Sequence, residues 1–174
     1  MNEDCRYSRH TDPFPRYGSL KWDIVNQMDP KFVDPVDLST KLHHAVNHDF
    51  QDIVEDTVKN FPGTIYARNI DGNTPLMFSI NISNTYTIKL LTEAKYLVNN
   101  ENNNALHVEF WEDKWCGKYL RSLLPLYKMK NKKGEFAAHL SLARSSSRKW
   151  ELIVYYHSKM KLWSDILPLS ILTF

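Results

Sequence analysis

Apolar residues recur along this chain in blocks that repeat roughly every thirty positions. Four segments share a small or polar residue followed by an apolar anchor, and the anchors are 34, 30 and 32 residues apart. A second apolar stripe with the spacing of a helix face follows each anchor. Repetition on this scale predicts a stack of similar units. The anchors are Leu42, Leu76, Leu106 and Ala138, and the second stripes lie within residues 53–58, 88–91, 119–124 and 152–154.

The segment NIDGNTPL, residues 69–76, indicates how one unit begins. Gly72 suits a turn with positive φ, Thr74 is a natural N-cap, and Pro75 then falls at the first helical position, where a missing N–H is harmless. Each unit is predicted to be a turn and two short helices, whose apolar faces are buried only when neighbouring units stack. The residues at the position of Gly72 in the other units are Leu38, Asn102 and Gly134.

This pattern resembles the ankyrin-repeat family, whose consensus D-x-x-G-x-T-P-L-H-x-A is matched best by residues 71–76. The resemblance covers about residues 38 to 160 and implies an all-α solenoid of about four degenerate repeats. It also implies that the motif histidine forms hydrogen bonds between repeats, with Met77 replacing it in the second unit. The third unit lacks the Thr-Pro pair. The residues that match the motif are Leu42, His43, Gly72, Thr74, Pro75, Leu76, Leu106, His107, Gly134 and His139.

The ends of the chain differ from the repeats. Residues 1–17 read as an irregular arm, and residues 18–37 as an N-terminal capping helix with Ser19 as its N-cap and Trp22, Val25 and Met28 on one face. Residues 161–174 read as an apolar C-terminal cap helix or a docking tail. The predicted repeats between them span residues 38–69, 70–99, 100–131 and 132–160.

Composition narrows the classes of function. The formal net charge of +2 favours no polyanionic partner for the molecule as a whole. Cys5 and Cys116 are too far apart in sequence to suggest a metal pair or a disulfide framework, so a reducing compartment is expected. The first ten residues are too polar for a signal peptide, and no apolar run suggests a membrane span. We therefore expect a cytoplasmic or nuclear protein with no membrane partner.

The sequence gives only weak support for a catalytic or a metal-binding site. His44 and His48 have a spacing that can hold zinc, but His43 already has a motif role and no cysteine is near. His107 with Glu109, or His139 with Ser141 and Ser145, lacks an orienting partner and an obvious pocket. A chain with five glycines leaves little room for a phosphate loop. The prediction is a protein that is not an enzyme, with no cofactor, no metal and no small-molecule substrate.

A basic cluster lies where the turn between the third and fourth units should project. It contains Lys128, Lys130, Lys132 and Lys133, and Arg144, Arg148 and Lys149 follow it. The favoured interpretation is a solvated turn, ahead of a surface for an acidic protein, with nucleic acid third. Ser145, Ser146 and Ser147 could accept phosphate from a basophilic kinase, although a flexible loop is the simpler interpretation.

The resemblance implies that a partner is bound by the turn tips and by positions late in each first helix. Trp111 is the sharpest candidate, either as a binding hot spot or as a core residue packed with Trp115. Ile82 would extend an apolar patch. The predicted partner-binding residues are Asn47, His48, Asn81, Ile82, Trp111, Glu112, Arg144, Lys132 and Lys133.

These features predict a non-catalytic protein-binding module, an adaptor or regulatory subunit. Analogy with small ankyrin proteins leaves three kinds of role open. The first is a plutonium-like subunit of a kinase complex in cell-cycle control. The second is an inhibitor of a cyclin-dependent kinase, and the third is an IκB-like inhibitor that masks a transcription factor. A kinase complex is placed slightly ahead. The alternative class is nucleic-acid binding through residues 128–149.

Overall fold

The computed structural model describes residues 22–111 and 120–143. All regular secondary structure in these two ranges is helical, and its only strand-like features are three isolated bridges beside the turns. The prediction of an all-α chain is therefore confirmed for the described residues. The arm, the tail, Ser19, the basic residues at 144, 148 and 149, and the serines at 145–147 lie outside them.

The helices are short. The α-helices are α1 Trp22–Gln27, α2 Lys41–Asn47, α3 Gln51–Asn60, α4 Pro75–Asn81, α5 Thr85–Leu91, α6 Ala105–Trp111, α7 Leu120–Leu123 and α8 Ala137–Ala143. Three 3₁₀ segments follow second helices, at Pro62–Tyr66, Thr92–Tyr96 and Leu124–Leu126. The longest described helix has ten residues, and none in this part of the chain could cross a bilayer.

The helices pack in two rows. The first helices α2, α4, α6 and α8 contact one another in sequence order, while α3 packs on α2 and α5 on α4. The predicted anchors Leu42, Leu76 and Leu106 are fully or almost fully buried between them, whereas Ala138 is half-buried. Ile53, Val54, Ile88 and Leu91 of the second stripe are buried as well. Burial of apolar surface between units thus drives the stacking, since no single pair of helices encloses its own core.

The first unit is preceded by the six-residue helix α1, which is shorter than the capping helix predicted over residues 18–37. Val25 of α1 is fully buried, and Met28, just after its end, is half-buried against the core. Trp22 on the predicted apolar face is instead exposed, and its indole Nε1 donates to Asp52 Oδ2 of α3 at 2.9 Å. This contact ties α1 to the second row of helices.

Two of the first helices, α4 and α6, begin with a side-chain N-cap. Thr74 Oγ1 accepts from the Met77 amide at 3.4 Å and Pro75 begins α4, so the predicted cap is confirmed. In the third unit, which lacks the Thr-Pro pair, Asn104 Oδ1 accepts from the amides of Leu106 and His107 at 2.9 and 3.0 Å. Asparagine therefore replaces threonine with the same physical effect.

The turn position before each first helix has positive φ in all four units. Gly72 and Gly134 both have φ of 76°, and Leu38 and Asn102 have φ of 60° and 57°. The alignment of these four residues from sequence is confirmed. Leucine in this conformation is strained by roughly 1–2 kcal/mol, because its Cβ approaches the following carbonyl oxygen.

Leu38→Gly is therefore expected to raise the free energy of unfolding by roughly 0.5–1 kcal/mol, the relieved strain being partly offset by the entropy of a more flexible unfolded chain. Leu38 is exposed, so little burial is lost. Urea denaturation measures the change. Val36→Gly is the control, because Val36 is exposed in the same turn without positive φ, and it should lower stability. A loss of stability in Leu38→Gly would show that the strain has been misjudged.

Candidate functional site

Three of the four turns before the first helices have the same internal construction. In the second turn, Asn69 Oδ1 accepts from the amides of Asp71 and Asn73 at 3.1 and 2.8 Å, which closes the loop around Gly72. Asn99 and Asn131 make the same pair of bonds in the third and fourth turns. The side chain thus holds each turn before the helix begins. The turns comprise residues 34–39, 69–73, 99–103 and 131–135.

Hydrogen bonds join each turn to the next. The Ile70 amide donates to Asp37 O at 2.7 Å, the Asn100 amide to Asp71 O at 2.9 Å, and the Lys132 amide to Glu101 O at 2.9 Å. Side-chain amides add rungs, from Asn99 Nδ2 to Asn73 Oδ1 at 3.0 Å and from Asn131 Nδ2 to Asn103 Oδ1 at 3.2 Å. We call these four linked turns the turn ladder.

The sequence analysis missed Asn69, Asn99 and Asn131. The sequence does contain a signal for them, because an asparagine occurs three residues before each of Gly72, Asn102 and Gly134. It was hidden because asparagine is common in this chain and because the first turn has Asp34 in a loop that is one residue longer. Asp34 Oδ1 accepts from the Val36 amide at 2.8 Å, the equivalent bond.

The motif histidines bind the turn ladder to the helices. One ring nitrogen of His43, Nε2, donates to Asn73 O at 3.0 Å, and the other, Nδ1, accepts from the Thr40 amide at 3.2 Å. His107 repeats the arrangement with Glu135 O at 3.0 Å and the Asn104 amide at 3.3 Å. The tautomer follows from these partners. The inter-unit hydrogen bonds expected of His43 and His107 are thus present, and His139 Nδ1 accepts from the Phe136 amide at 3.2 Å.

Burial keeps the ring of His43 neutral at pH 7. Burial lowers the pKa of His43 to about 4, an effect larger than the opposing hydrogen bond to Asn73 O. Burial also lowers the pKa of His44, His48 and His107. Both ring nitrogens of His107 have partners in the turn, so the ring is not placed as a base acting with the fully buried Glu109.

The candidate metal site does not assemble among the described residues. His43 faces the second turn, and His44 Nε2 lies 3.8 Å from Asp34 Oδ2. The ring of His48 stacks on that of Phe50, with centroids 5.6 Å apart. No group of three His, Cys, Asp or Glu side chains in residues 22–111 and 120–143 is placed to hold a metal ion.

A groove runs between the turn ladder and the first helices. One cavity of about 250 Å³ lies between the first two turns and α2 and α4. A second, of about 630 Å³, lies between the second, third and fourth turns and α6 and α8. Asp71 lines both cavities, so they adjoin at the second turn, and we call the two cavities together the turn–helix groove.

Some predicted partner-binding residues lie in this groove. Asn47 lines the smaller cavity, and Trp111 and Lys133 line the larger one. Trp111 is 40% exposed and borders Val108 and Leu140, so its side chain is neither fully buried nor isolated in solvent. Lys132 is exposed at the tip of the fourth turn, outside the cavity lining.

Other predicted residues lie elsewhere. The expectation of an exposed Asn81 is wrong, because the side chain is only 4% exposed at the end of α4, which contacts α2 on one side and α6 on the other. Ile82 is half-buried against the core and does not line the groove. His48 is half-buried on Phe50. Glu112 and Arg144 fall outside the described residues.

The predicted basic cluster is only partly available to a partner. Lys130 Nζ lies 4.9 Å from the centre of the Phe136 ring, and Lys128 Nζ lies 5.5 Å from that of Tyr127. Cations over aromatic faces are stabilised there. Lys132 and Lys133 remain as an exposed pair at the end of the turn ladder.

No protein-family model matches this chain, and no curated protein is similar in sequence.

Proposed function

We propose that this chain is a small ankyrin-repeat protein that acts as a non-catalytic protein-binding module, an adaptor or regulatory subunit of a partner in the cytoplasm or nucleus. The observation that carries the proposal is the turn–helix groove, two adjoining cavities whose lining comes from four successive units. The repeated turn, the Thr74–Pro75 helix start and the histidines bonded to the next turn are what the ankyrin resemblance implies.

The groove suits a protein segment better than a small substrate. It is long and open, and its walls are the turn ladder on one side and the first helices on the other. The backbone bonds between turns hold one wall in place before a partner arrives, and preorganisation of this kind lowers the entropic cost of binding. Its buried histidines have structural partners, which argues against a catalytic role for them.

The identity of the partner stays a prediction. A kinase complex is favoured slightly over a transcription factor that the chain would mask as IκB-like proteins do. Each would use the same groove, so identification of the bound partner separates them. Nucleic-acid binding is a weaker alternative, since two of the four lysines at 128–133 lie over aromatic rings.

The test is a tagged pull-down from native cells, with bound proteins identified by mass spectrometry. Wild type is compared with Trp111→Ala, which removes the largest exposed apolar side chain of the groove. Tyr96→Ala is the matched control, because Tyr96 is 60% exposed and lies outside the cavity lining. We expect one partner to be retained by wild type and Tyr96→Ala and lost by Trp111→Ala.

Circular dichroism must first show that each variant is folded. If Trp111→Ala unfolds, Glu101→Arg takes its place, because Glu101 is exposed at a turn tip and uses only its backbone groups in the turn ladder. Retention of the partner by folded variants with a changed groove would contradict the proposal.

A further inference from the structure

The turn–helix groove has the opposite charge to the chain as a whole. Four carboxylates line it, those of Asp37, Asp71, Glu101 and Glu135, against the single ammonium group of Lys133. The lining histidines His43, His44 and His107 add no charge at pH 7, because burial lowers the pKa of each. Four negative charges against one positive charge leave an excess of three, on a chain whose formal net charge is +2.

Two of these carboxylates are available to a ligand. Asp37 accepts from the hydroxyl of Ser39 at 2.8 Å, and Glu135 accepts from Asn131 Nδ2 at 3.0 Å. Asp71 and Glu101 are exposed on neighbouring turns. Within residues 22–111 and 120–143, neither of their carboxylates has a hydrogen-bond donor or an ion-pair partner. Their backbone groups hold the turn ladder, which fixes where the two charges stand.

An aromatic surface lies in the same cavity as these carboxylates. Trp111 lines the larger cavity together with Asp71 and Glu101, and 40% of its side chain is exposed. The face of an indole attracts cations, and arginine both stacks on it and forms paired hydrogen bonds with carboxylates. Trp111 and the two carboxylates thus place in one cavity the kinds of group to which arginine side chains bind.

At the other end of the groove, the tips of the first two turns are apolar. Val36 and Ile70 line the smaller cavity, and Ile70 is 53% exposed. The groove thus changes along its length, from apolar tips at the first two turns to carboxylates and an aromatic ring at the second and third. A segment lying along it meets these two surfaces in a fixed order.

We propose that the occupant of the groove is an extended, arginine-rich segment of the partner protein. Its cationic side chains lie between Asp71, Glu101 and Trp111, and its apolar side chains lie against Val36 and Ile70. This inference rests on the proposed protein-binding function and adds the chemistry of the partner. It also assigns Asp71 and Glu101 as the specificity-determining groups.

The probe is a pair of fluorescent peptides of the same length that differ only at the charged positions. Neighbouring packed helices lie about 8–10 Å apart, and an extended peptide advances about 3.3 Å per residue, so about twelve residues cover the four units. One peptide carries arginines interspersed with leucine and serine, and the other has glutamate at every arginine position. Fluorescence anisotropy with the full chain measures the affinity of each.

The arginine peptide should bind, and the glutamate peptide should not. The double variant Asp71→Asn with Glu101→Gln should weaken binding of the arginine peptide about tenfold, because two carboxylates that line the same cavity lose their charge. Trp111→Leu should weaken it about threefold through the lost cation–π contact. Asp23→Asn is the matched control, because Asp23 is an exposed carboxylate on α1 outside the groove, and it should leave the affinity unchanged.

Three results would overturn the inference: no measurable binding of the arginine peptide, equal binding of the glutamate peptide, or an equal loss in Asp23→Asn and the double variant. The last of these would indicate a diffuse charge effect without a groove site. The pull-down distinguishes failure of the arginine-segment proposal from failure of the proposed protein-binding function. A native partner that is lost in Trp111→Ala but insensitive to the double variant leaves the binding module standing and removes only the cationic segment.

Discussion

Gly72→Ala is expected to lower the free energy of unfolding by about 3 kcal/mol, whereas Gly134→Ala should lower it by only about 1 kcal/mol. Both glycines have φ of 76°, so a Cβ introduces the same backbone strain at each. At Gly72 that Cβ would also lie 2.5 Å from Asn100 Oδ1 and 2.7 Å from Asn100 N. At Gly134 it would meet nothing within 4 Å.

The difference between the two variants isolates the contact between turns. The Asn100 amide donates to Asp71 O, so a Cβ on Gly72 displaces backbone that forms a rung of the turn ladder. Urea denaturation of both variants, monitored by circular dichroism, gives the two changes in unfolding free energy. Equal losses would mean that the second and third turns adapt to the new side chain, and that the ladder is not rigid at this point.

Acidification from pH 7 to pH 5 is expected to destabilise the fold by about 2 kcal/mol through His43 alone. The ordinary pKa of 6.5 applies in the unfolded chain, and the folded value is about 4 because the ring is buried. Between these values the unfolded chain binds a proton that the folded chain does not, so stability is present above pH 6.5 and falls as the pH drops. The lowered pKa values of His44, His48 and His107 act in the same direction.

The pH effect is measured by urea denaturation at both pH values, in wild type and in His43→Gln. The amide of glutamine can still donate to Asn73 O but does not titrate, so this variant should be less stable at pH 7 and should show a shallower pH dependence. An unchanged pH dependence in His43→Gln would assign the effect to other groups.

Much of the fold could be predicted because helix starts and stacking leave local marks. Gly72, Thr74 and Pro75 each have one conformational reason for their position, and the apolar anchors at 42, 76 and 106 show the period. Leu38 and Asn102 could be aligned only through that period, since leucine and asparagine do not by themselves require a positive φ. The first turn was harder to interpret because it is one residue longer.

The site was less predictable, because exposure depends on neighbours that a helix pattern does not contain. Asn47, Asn81 and Trp111 occupy equivalent places at the ends of first helices. Asn81 is nevertheless buried in the middle of the row, while Trp111 is 40% exposed. The acidic groove was missed for a similar reason, since its carboxylates come from separate turns and are outnumbered in the sequence by the lysines near residue 130.

The most direct test of the account is site-specific photo-crosslinking in native cells. Benzoylphenylalanine is placed at Ile70, which is 53% exposed in the groove, and separately at Tyr86, which is exposed on α5 outside the cavity lining. The account predicts a covalent adduct with one partner from position 70 and none from position 86. Adducts from position 86 alone would place the partner on the second row of helices and contradict a binding function for the turn–helix groove.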